Sequence, residues 1–231
     1  MKCVPVDERA DLGERQGRVT RVSERGPHGQ WLGGAPPATT NYEKFQTGNP
    51  VVRRLLDRFY ATLREEVRAV GPQSLLDAGC GEGESLARLD DLVPSATKAV
   101  DFNPACVQFT AERIPTAAVS RADVRELPFA DAEFELVLCL EVLEHLEEPE
   151  VALAELRRVS GGQVIVSVPD EPGFSVGSLL RGNYLGRLGR HPEHLQAWSG
   201  RSFRRFLADS GATEIASFRR PFPWLMARLP A

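Results

Sequence analysis

At 231 residues the chain can bury one large core but is too short for two independent domains of ordinary size. Its 28 Lys and Arg against 32 Asp and Glu leave a net charge of −4, which argues against a protein that binds nucleic acid over its surface. Cys3, Cys80, Cys106 and Cys139 form no Cys-x-x-Cys pair, which argues against a zinc ribbon, a redox pair and a disulfide scaffold. No apolar run could cross a bilayer, and residues 1–10 carry charges where a signal peptide would be apolar, so we expect a soluble, cytoplasmic protein.

Residues 1–40 are rich in Arg, Gly and Pro and show no sustained periodicity. Two interpretations stay open: a flexible, untethered leader, or a lid that orders over bound substrate with Trp31 and Leu32. We expect the main domain over residues 41–231, with a substrate-facing insertion near 172–198.

A helical pattern begins at Asn49, where apolar residues recur every three or four positions as far as Val67. Pro50 suits the first turn of a helix. The spacing therefore predicts an amphipathic helix that packs against a sheet.

A short apolar run then breaks into three alternating glycines, Gly79, Gly81 and Gly83, followed by a helical pattern, which predicts a buried strand, a tight turn and a helix. Glycine tolerates positive φ and lets a ligand approach the main chain, so Gly79 and Gly81 are candidate contacts. A dinucleotide fingerprint would place its third glycine one position later. Glu82 and Glu84 also put negative charge where a pyrophosphate would sit, so a cationic or zwitterionic ligand fits better.

The segment from Asp77 to Gly83, Asp-Ala-Gly-Cys-Gly-Glu-Gly, resembles the first motif of the class I S-adenosylmethionine-dependent methyltransferases, and later segments follow in that family's order over residues 41–219. The resemblance implies S-adenosylmethionine as cofactor, with contacts at Asp77, Gly79, Cys80 and Gly81. Alternating strand and helix patterns predict an α/β fold with a doubly wound, mostly parallel, seven-stranded Rossmann-like sheet and helices on both faces.

Residues 41–47 are similar to the aromatic stretch that many small-molecule methyltransferases fold over the cofactor. Tyr42 and Phe45 would then cover the ligand. Alternatively, they only staple the following helix to the core.

The second predicted strand, residues 98–101, ends in Asp101, and Asn103-Pro104 opens the next helix. A carboxylate at this position can accept hydrogen bonds from two ribose hydroxyls, or it can cap the helix. Phe102, which follows it, is a further candidate cofactor contact.

The third predicted strand, residues 116–120, leads to Asp123 and Val124. The resemblance implies that Asp123 receives the adenine amino group and that the backbone N–H of Val124 serves the ring, whereas a solvated loop aspartate is the alternative. The fourth predicted strand, residues 134–140, is almost wholly apolar, as a buried central strand should be, and it delivers Glu141 to the ligand-binding edge. Leu140, its last residue, is a further candidate cofactor contact.

Beyond that strand, Glu141, Glu144 and His145 fall at positions i, i+3 and i+4, so a helix would place them on one face. With His191 or His194 added, they could bind Mg, Mn or Zn. Glu-x-x-Glu-His followed by a later His resembles the ubiquinone-pathway O-methyltransferases and the small-RNA terminal 2′-O-methyltransferases. In the metal-free alternative, Glu141 faces the cofactor and His145 or His194 is a general base or only a satisfied polar residue.

The remaining patterns predict a helix over 85–92, a helix over 150–159, a strand over 163–168, a last helix over 199–210 and an edge strand over 213–219 that pairs with 221–229.

Together these features predict methyl transfer to a small organic acceptor, chiefly at oxygen of a natural product, quinone-type or lipid-like substrate bound between residues 174–198 and 42–46. A nicotinamide-dependent oxidoreductase is disfavoured by the glycine spacing. Metal-dependent 2′-O-methylation of an RNA end and a non-catalytic cofactor-binding partner subunit remain alternatives. We expect neither nucleic acid nor a membrane span, and a homodimer stays open.

Overall fold

The computed structural model describes residues 48–171 and 195–231. The predicted leader, the aromatic stretch with Tyr42 and Phe45, and most of the predicted insertion, including His191 and His194, lie outside the described residues. The elements, in chain order, are α1 (Pro50–Val70), β1 (Ser74–Ala78), α2 (Glu84–Arg88), β2 (Ala96–Asp101), α3 (Pro104–Arg113), β3 (Ala118–Arg121), β4 (Phe134–Leu140), a 3₁₀ turn (Leu143–His145), α4 (Pro149–Val159), β5 (Ser160–Pro169), α5 (Gly200–Asp209), β6 (Ser217–Arg219) and β7 (Trp224–Pro230).

The seven strands form one sheet in the order β3-β2-β1-β4-β5-β7-β6. The first five pair in parallel, and β7 runs antiparallel to both β5 and β6. The mostly parallel, seven-stranded sheet is therefore confirmed, as is the antiparallel pairing of the last two strands. The parallel arrangement brings the carboxyl ends of β1, β2 and β4 to the same edge.

Helices cover both faces of this sheet. On one face, Phe59 and Leu63 of α1 pack against inward side chains of the central strands. On the other, Leu153 of α4 and Phe203 of α5 do the same. Because both faces of β4 are covered, residues 136–139 are all buried, which explains why they do not alternate between apolar and polar. Within the described ranges, no helix is long and apolar enough to cross a membrane.

The helix boundaries follow from local capping. The Asn49 side chain accepts hydrogen bonds from the backbone N–H groups of Val51 and Val52, and α1 ends at Gly71 in the left-handed conformation. Ser199 and Ser202 form a capping box at the start of α5. The predicted starts of both helices are confirmed.

Helix α2 is shorter than predicted, because it ends at Arg88 rather than continuing to residue 92. In a continuing helix, the Arg88 carbonyl would accept a hydrogen bond from the N–H of Leu92. Instead it accepts one from Arg64 of α1 at 2.7 Å, and the N–H of Leu92 bonds to the carbonyl of Leu89. A contact with a distant helix thus ends α2.

A buried carboxylate joins α1 to the far end of the chain. Glu66, only 2% exposed, accepts hydrogen bonds from Ser217 Oγ, Arg219 Nε and Arg228 Nε, each at 2.8 Å. Burial alone would raise the pKa of Glu66, but these hydrogen bonds outweigh it and lower that pKa below its usual range. Glu66 therefore fastens the β6–β7 hairpin to the body of the domain.

We expect Glu66→Gln to lower the free energy of unfolding by about 2 kcal/mol, because Arg219 and Arg228 lose the counter-charge of the buried Glu66. Since the folded-state pKa of Glu66 is depressed, its contribution is present above the ordinary value of 4.5 and is lost as the pH falls through the folded-state value. Denaturant unfolding of wild type and variant at pH 7 and pH 3 measures this. Glu65→Gln, at an exposed neighbouring position, is the control and should change little; equal effects of the two substitutions would contradict the role given to Glu66.

Candidate functional site

A cavity of about 390 Å³ opens at the carboxyl ends of β1, β2 and β4, within the size range of small-molecule sites. Ligands of doubly wound sheets bind at this edge. The cavity is lined by Leu56, Phe59, Tyr60, Asp77, Gly79, Cys80, Gly81, Glu82, Glu84, Ser85, Asp101, Phe102, Asp123, Val124, Arg125, Leu140, Glu141, Val142, His145, Leu146 and Trp224. All nine predicted cofactor contacts are in this set, together with Glu141 and His145.

The β1–α2 turn is bonded along its length to the end of β2. The N–H groups of Gly79 and Cys80 both donate to the Val100 carbonyl, at 2.8 and 2.9 Å. The N–H of Gly81 donates to Asp101 Oδ2 at 2.8 Å. These bonds hold the turn open beside the cavity.

Gly79 and Gly81 both have positive φ, but their surroundings differ. A Cβ at Gly79 would come within 2.5 Å of the Val142 side chain, so this glycine also permits close packing. A Cβ at Gly81 would meet nothing within 4 Å. Because Gly81 lines the cavity, a side chain there would take space that a ligand could use.

Asp101 uses one carboxylate oxygen for the turn and the other for the chain that follows β2. Its Oδ1 accepts from the N–H of Asn103 at 2.8 Å. The cap of α3 is Asn103, whose side chain accepts from the N–H of Ala105. The alternative in which Asp101 serves as the helix cap is therefore wrong, and each of its oxygens keeps a lone pair for a further donor.

Phe102 is 65% exposed on the cavity wall, which is unusual for a large apolar side chain. The guanidinium of Arg121 lies 5.2 Å from the centre of its ring, and Arg121 Nε donates to the Phe102 carbonyl at 3.1 Å. Arg121 thus restrains both the ring and the backbone of Phe102.

Asp123 also lines the cavity, where it forms a bidentate ion pair with Arg125. Arg125 Nε lies 3.0 Å from Oδ1 and Nη2 lies 2.7 Å from Oδ2, and the N–H of Arg125 adds a third donor. These hydrogen bonds lower the pKa of Asp123. Asp123 is therefore an ion-paired carboxylate rather than a freely solvated one, and Arg125 is a cavity residue that the sequence patterns did not predict.

The two glutamates of the turn differ in charge environment. Glu84 is buried and bonds to Arg113 Nη2 and to Arg88 Nε, both at 2.6 Å. Its charge is thus compensated, so the prediction that Glu84 repels a phosphate is wrong. Glu82 is 4% exposed, and burial raises its pKa. Of the cavity carboxyl groups beside the turn, Glu82 and Asp101 are left to repel a phosphate.

Asp77, at the carboxyl-terminal part of β1, is 1% exposed on the cavity wall. Its Oδ2 has no hydrogen-bond partner within the described part of the chain. Burial, and secondarily the charge of Asp101, raise the pKa of Asp77 from 3.8 to about 7.

Glu141 follows β4 in the left-handed backbone conformation, with φ of 59°, which is strained for a residue other than glycine. Its N–H donates to the Ser167 carbonyl at 3.1 Å, and its Oε1 accepts from Ser167 Oγ at 2.9 Å. The fully buried Ser167 thus fixes Glu141 by backbone and side chain together.

The predicted metal site is not formed by the described residues. The helix that would align the three side chains is only a 3₁₀ turn starting at Leu143, after Glu141. Glu144 is 2% exposed and does not line the cavity, unlike Glu141 and His145. Among residues 48–171 and 195–231, no group of three His, Cys, Asp or Glu side chains could hold a metal ion. The assumption of a common helical face was therefore wrong, and His191 lies outside the described residues.

Comparison with known proteins agrees with this geometry. A family model described as a methyltransferase domain matches residues 76–166, which include the turn, Asp101, Asp123 and Glu141. A probable S-adenosylmethionine-dependent methyltransferase of Mycobacterium tuberculosis is 31% identical over 146 residues, which cover 62% of this chain and 50% of the relative. Residues 76–166 therefore match a methyltransferase domain, and these findings support a class I S-adenosylmethionine-dependent methyltransferase.

Two further proteins resemble this chain. A demethylmenaquinone methyltransferase of Renibacterium salmoninarum is 28% identical, over 66% of this chain and 71% of the relative. The crystal structure of magnesium protoporphyrin IX methyltransferase from Synechocystis, with bound SAH, superposes with a TM-score of 0.60 at 17% identity, over 83% of this chain and 94% of that one. At this identity the second likeness supports the fold alone. The chain spans about half the length of the first curated relatives that it matches.

Several residues of the cavity wall belong to no recognisable sequence motif. Phe59 and Tyr60 come from the core-facing side of α1, and Trp224 from the start of β7. The rings of Phe59 and Trp224 lie 5.2 Å apart, so the two elements form one aromatic wall. Their apolar pattern predicted burial, but only the packing of distant elements brings them to the cavity.

The raised pKa of Asp77 predicts a pH-dependent stability. The folded, ligand-free protein holds a proton on Asp77 between pH 3.8 and about 7 that the unfolded chain has released, so stability falls as the pH rises through this window. Asp77→Asn removes the ionisation. We expect its Tm to equal that of wild type near pH 4 and to exceed it by several degrees at pH 8, measured by calorimetry.

Asp209→Asn is the control, because the Asp209 side chain is 70% exposed. Its Tm should track that of wild type at every pH. A Tm difference between Asp77→Asn and wild type that stays constant with pH would contradict protonation of Asp77.

Proposed function

We propose that this domain binds S-adenosylmethionine in the carboxyl-edge cavity and catalyses transfer of its methyl group to a small organic acceptor, chiefly at oxygen. The observation that carries the proposal is the glycine turn, bonded to the end of β2 beside a cavity lined by Asp77, Asp101 and Asp123. The carboxyl groups of Asp77 and Asp101 favour a cationic, phosphate-free nucleoside over a dinucleotide.

The donor-acceptor chemistry of the wall fits such a cofactor. Both Asp101 oxygens keep acceptor capacity for two ribose hydroxyls. Phe102, restrained by Arg121, offers an apolar face for a flat ring. Asp123 and the N–H of Val124 stand at the next strand end, where an acceptor and a donor suit an adenine edge.

S-adenosylmethionine supplies, when bound, a methyl group on a positively charged sulfur. The protein's task is then to hold donor and acceptor in line, which is worth about 7–11 kcal/mol when the geometry is right. Glu141 is suited to this task, because Ser167 fixes its carboxylate on the cavity wall. His145 lies beside it on the 3₁₀ turn and is the candidate base for the acceptor proton.

The electrostatics of the cavity narrow the acceptor class. Glu82, Asp101 and Glu141 would repel an anion such as an RNA end. A neutral phenol or quinol avoids this repulsion, and at a pKa of about 10 it benefits from a base. The demethylmenaquinone methyltransferase among the relatives is named for a quinone-type substrate, which supports the same class.

A glycine substitution tests the cofactor site. We expect Gly81→Ala to weaken S-adenosylmethionine binding at least tenfold in titration calorimetry, because its Cβ would enter space beside the ligand. Gly71→Ala is the matched control: Gly71 has a similar φ, 62° against 51°, and lies at the end of α1 outside the cavity. Both variants should lose similar stability, while only Gly81→Ala should lose affinity.

The same titration with NAD separates this proposal from the oxidoreductase alternative. Heat with NAD and none with S-adenosylmethionine would overturn the proposed function. Equal affinity of the Gly81→Ala and Gly71→Ala variants would remove Gly81 from the site.

Turnover separates an enzyme from a non-catalytic partner subunit. With a phenolic acceptor found by mass-shift screening, we expect His145→Gln to lower kcat by about 10²–10⁴-fold, the usual worth of a general base, and to leave the Kd of S-adenosylmethionine within about twofold. Glu147→Gln, at an exposed neighbouring position, is the control. Cofactor binding without methylation of any acceptor in a broad panel would favour the partner-subunit alternative.

A further inference from the structure

Two large apolar side chains are exposed at the end of the domain where the cavity opens. Val51, 60% exposed, lies in the first turn of α1, and Phe222, 51% exposed, lies in the turn of residues 220–223 that connects β6 to β7. A single exposed apolar residue is common on protein surfaces and calls for no explanation. These two differ, because the fold places them at one corner of the domain and surrounds them with positive charge.

Both residues lie at the carboxyl edge of the sheet. Helix α1 leads directly into the start of β1, so its first turn, with Val51, lies at the opposite, carboxyl edge. Trp224 at the start of β7 pairs with Pro169 at the end of β5, which places the β6–β7 turn at the same edge. The rings of Phe59 and Trp224, 5.2 Å apart, join α1 to β7 here.

Helix α5 begins at this corner too. Trp198, just before its N-cap, bridges to Asp170 beyond the end of β5. A Cβ placed on Gly200, the first residue of α5, would lie 3.6 Å from Cζ of Arg220. The first turns of α5 therefore lie against the β6–β7 turn.

These three segments are rich in arginine. Residues 50–58, 199–205 and 219–223 contain eight arginines and a single acid, Asp57, whereas the whole chain has a net charge of −4. All eight arginines are exposed. We call this surface, with Val51 and Phe222, the basic rim.

The arginines of the basic rim are partly fixed and partly open to solvent. Arg219 and Arg220 form ion pairs with the buried carboxylates of Glu66 and Asp170, at 2.8 and 2.6 Å, which hold two exposed guanidinium groups in place. Five others form no ion pair within residues 48–171 and 195–231, namely Arg53, Arg54, Arg58, Arg201 and Arg204. Their charge can therefore serve an external anion.

The combination of charge and apolar side chains selects the occupant. A second copy of the chain would bring two basic rims together, and their like charges would repel. A nucleic acid offers phosphates but no apolar partner for Val51. An anionic lipid surface offers both, since guanidinium groups pair with lipid phosphates while exposed apolar side chains enter the boundary between headgroups and acyl chains.

We propose that the basic rim docks the domain peripherally on an anionic lipid surface, with Val51 and Phe222 entering the headgroup layer. This docking goes beyond the proposed methyl transfer and needs neither cofactor nor acceptor. It presents the cavity, which opens at the same end of the domain, to an acceptor dissolved in the lipid.

Co-sedimentation of the full chain with vesicles tests the docking. The probes are vesicles of phosphatidylcholine alone and of phosphatidylcholine with about 30% phosphatidylglycerol, which supplies the negative surface potential. At about 0.1 M salt we expect the partition coefficient onto the mixed vesicles to exceed that onto neutral vesicles at least tenfold. At about 1 M salt, where the Debye length falls to about 3 Å, this advantage should disappear.

Two variants assign the docking to the basic rim. Arg54→Gln should lower the partition coefficient onto mixed vesicles about fivefold, the usual worth of one arginine near an anionic surface. Phe222→Ser should lower it by a similar factor, because the exposed half of the ring leaves water on docking. If Phe222→Ser does not fold, Arg54→Gln and the salt dependence still decide.

Each variant has a matched control. Arg68→Gln changes an exposed arginine about 21 Å further along the same helix. Val151→Ser changes a valine that is 40% exposed beside the exposed Glu148 and Glu150. Both controls should stay within about twofold of wild type, since neither residue belongs to the basic rim.

Several outcomes would overturn the docking: no binding to mixed vesicles at low salt, equal binding to neutral and mixed vesicles, or equal losses in the rim variants and their controls. Binding of an RNA oligonucleotide in place of vesicles, or self-association that Phe222→Ser abolishes in place of vesicle binding, would overturn it as well. Calorimetric titration with S-adenosylmethionine is independent of these results. Vesicle binding without cofactor binding would overturn only the proposed function, and the reverse would overturn only the docking.

Discussion

The bonding of the β1–α2 turn to the end of β2 is the constraint on which the site depends. Three successive N–H groups, of Gly79, Cys80 and Gly81, donate to Val100 and Asp101. From α3, Thr110 donates a hydrogen bond to the Gly81 carbonyl and Arg113 donates one to the Glu82 carbonyl. The turn's polar backbone is thereby satisfied without closing over the cavity, and Asp101 couples its shape to the neighbouring strand.

The cavity separates its acidic groups into two kinds. The charges of Glu84 and Asp123 are compensated by ion pairs with Arg113 and Arg125, which fix the positions of the two carboxylates. Asp77 and Glu82 are buried, and burial raises the pKa of each, so both positions hold a buried acid that costs stability. A site of this kind loses stability when it is empty and recovers it when a cation arrives, which is how stability is often exchanged for binding.

The sequence predicted best what lies close together along the chain. The strand ends that carry Asp101 and Asp123 meet because parallel strands share an edge, so local patterns were sufficient. Helix α2 is short because Arg64 of α1 donates a hydrogen bond to the Arg88 carbonyl. The local sequence of α2 could not predict a contact with another helix. The contribution of Trp224 depends on β7 inserting beside β5, and the failed metal geometry depends on the left-handed backbone of Glu141.

The strand order has a consequence for biogenesis. β7 follows every other described strand in the sequence, yet it lies inside the sheet between β5 and β6. While the nascent chain is being translated, β5 exposes an unpaired apolar border for the time needed to make more than fifty residues, from Pro169 to Trp224. The aromatic wall that Trp224 completes can form only after β7 has paired with β5. The pairing of β7 therefore completes the ligand cavity and protects the edge of β5 from aggregation at the same time.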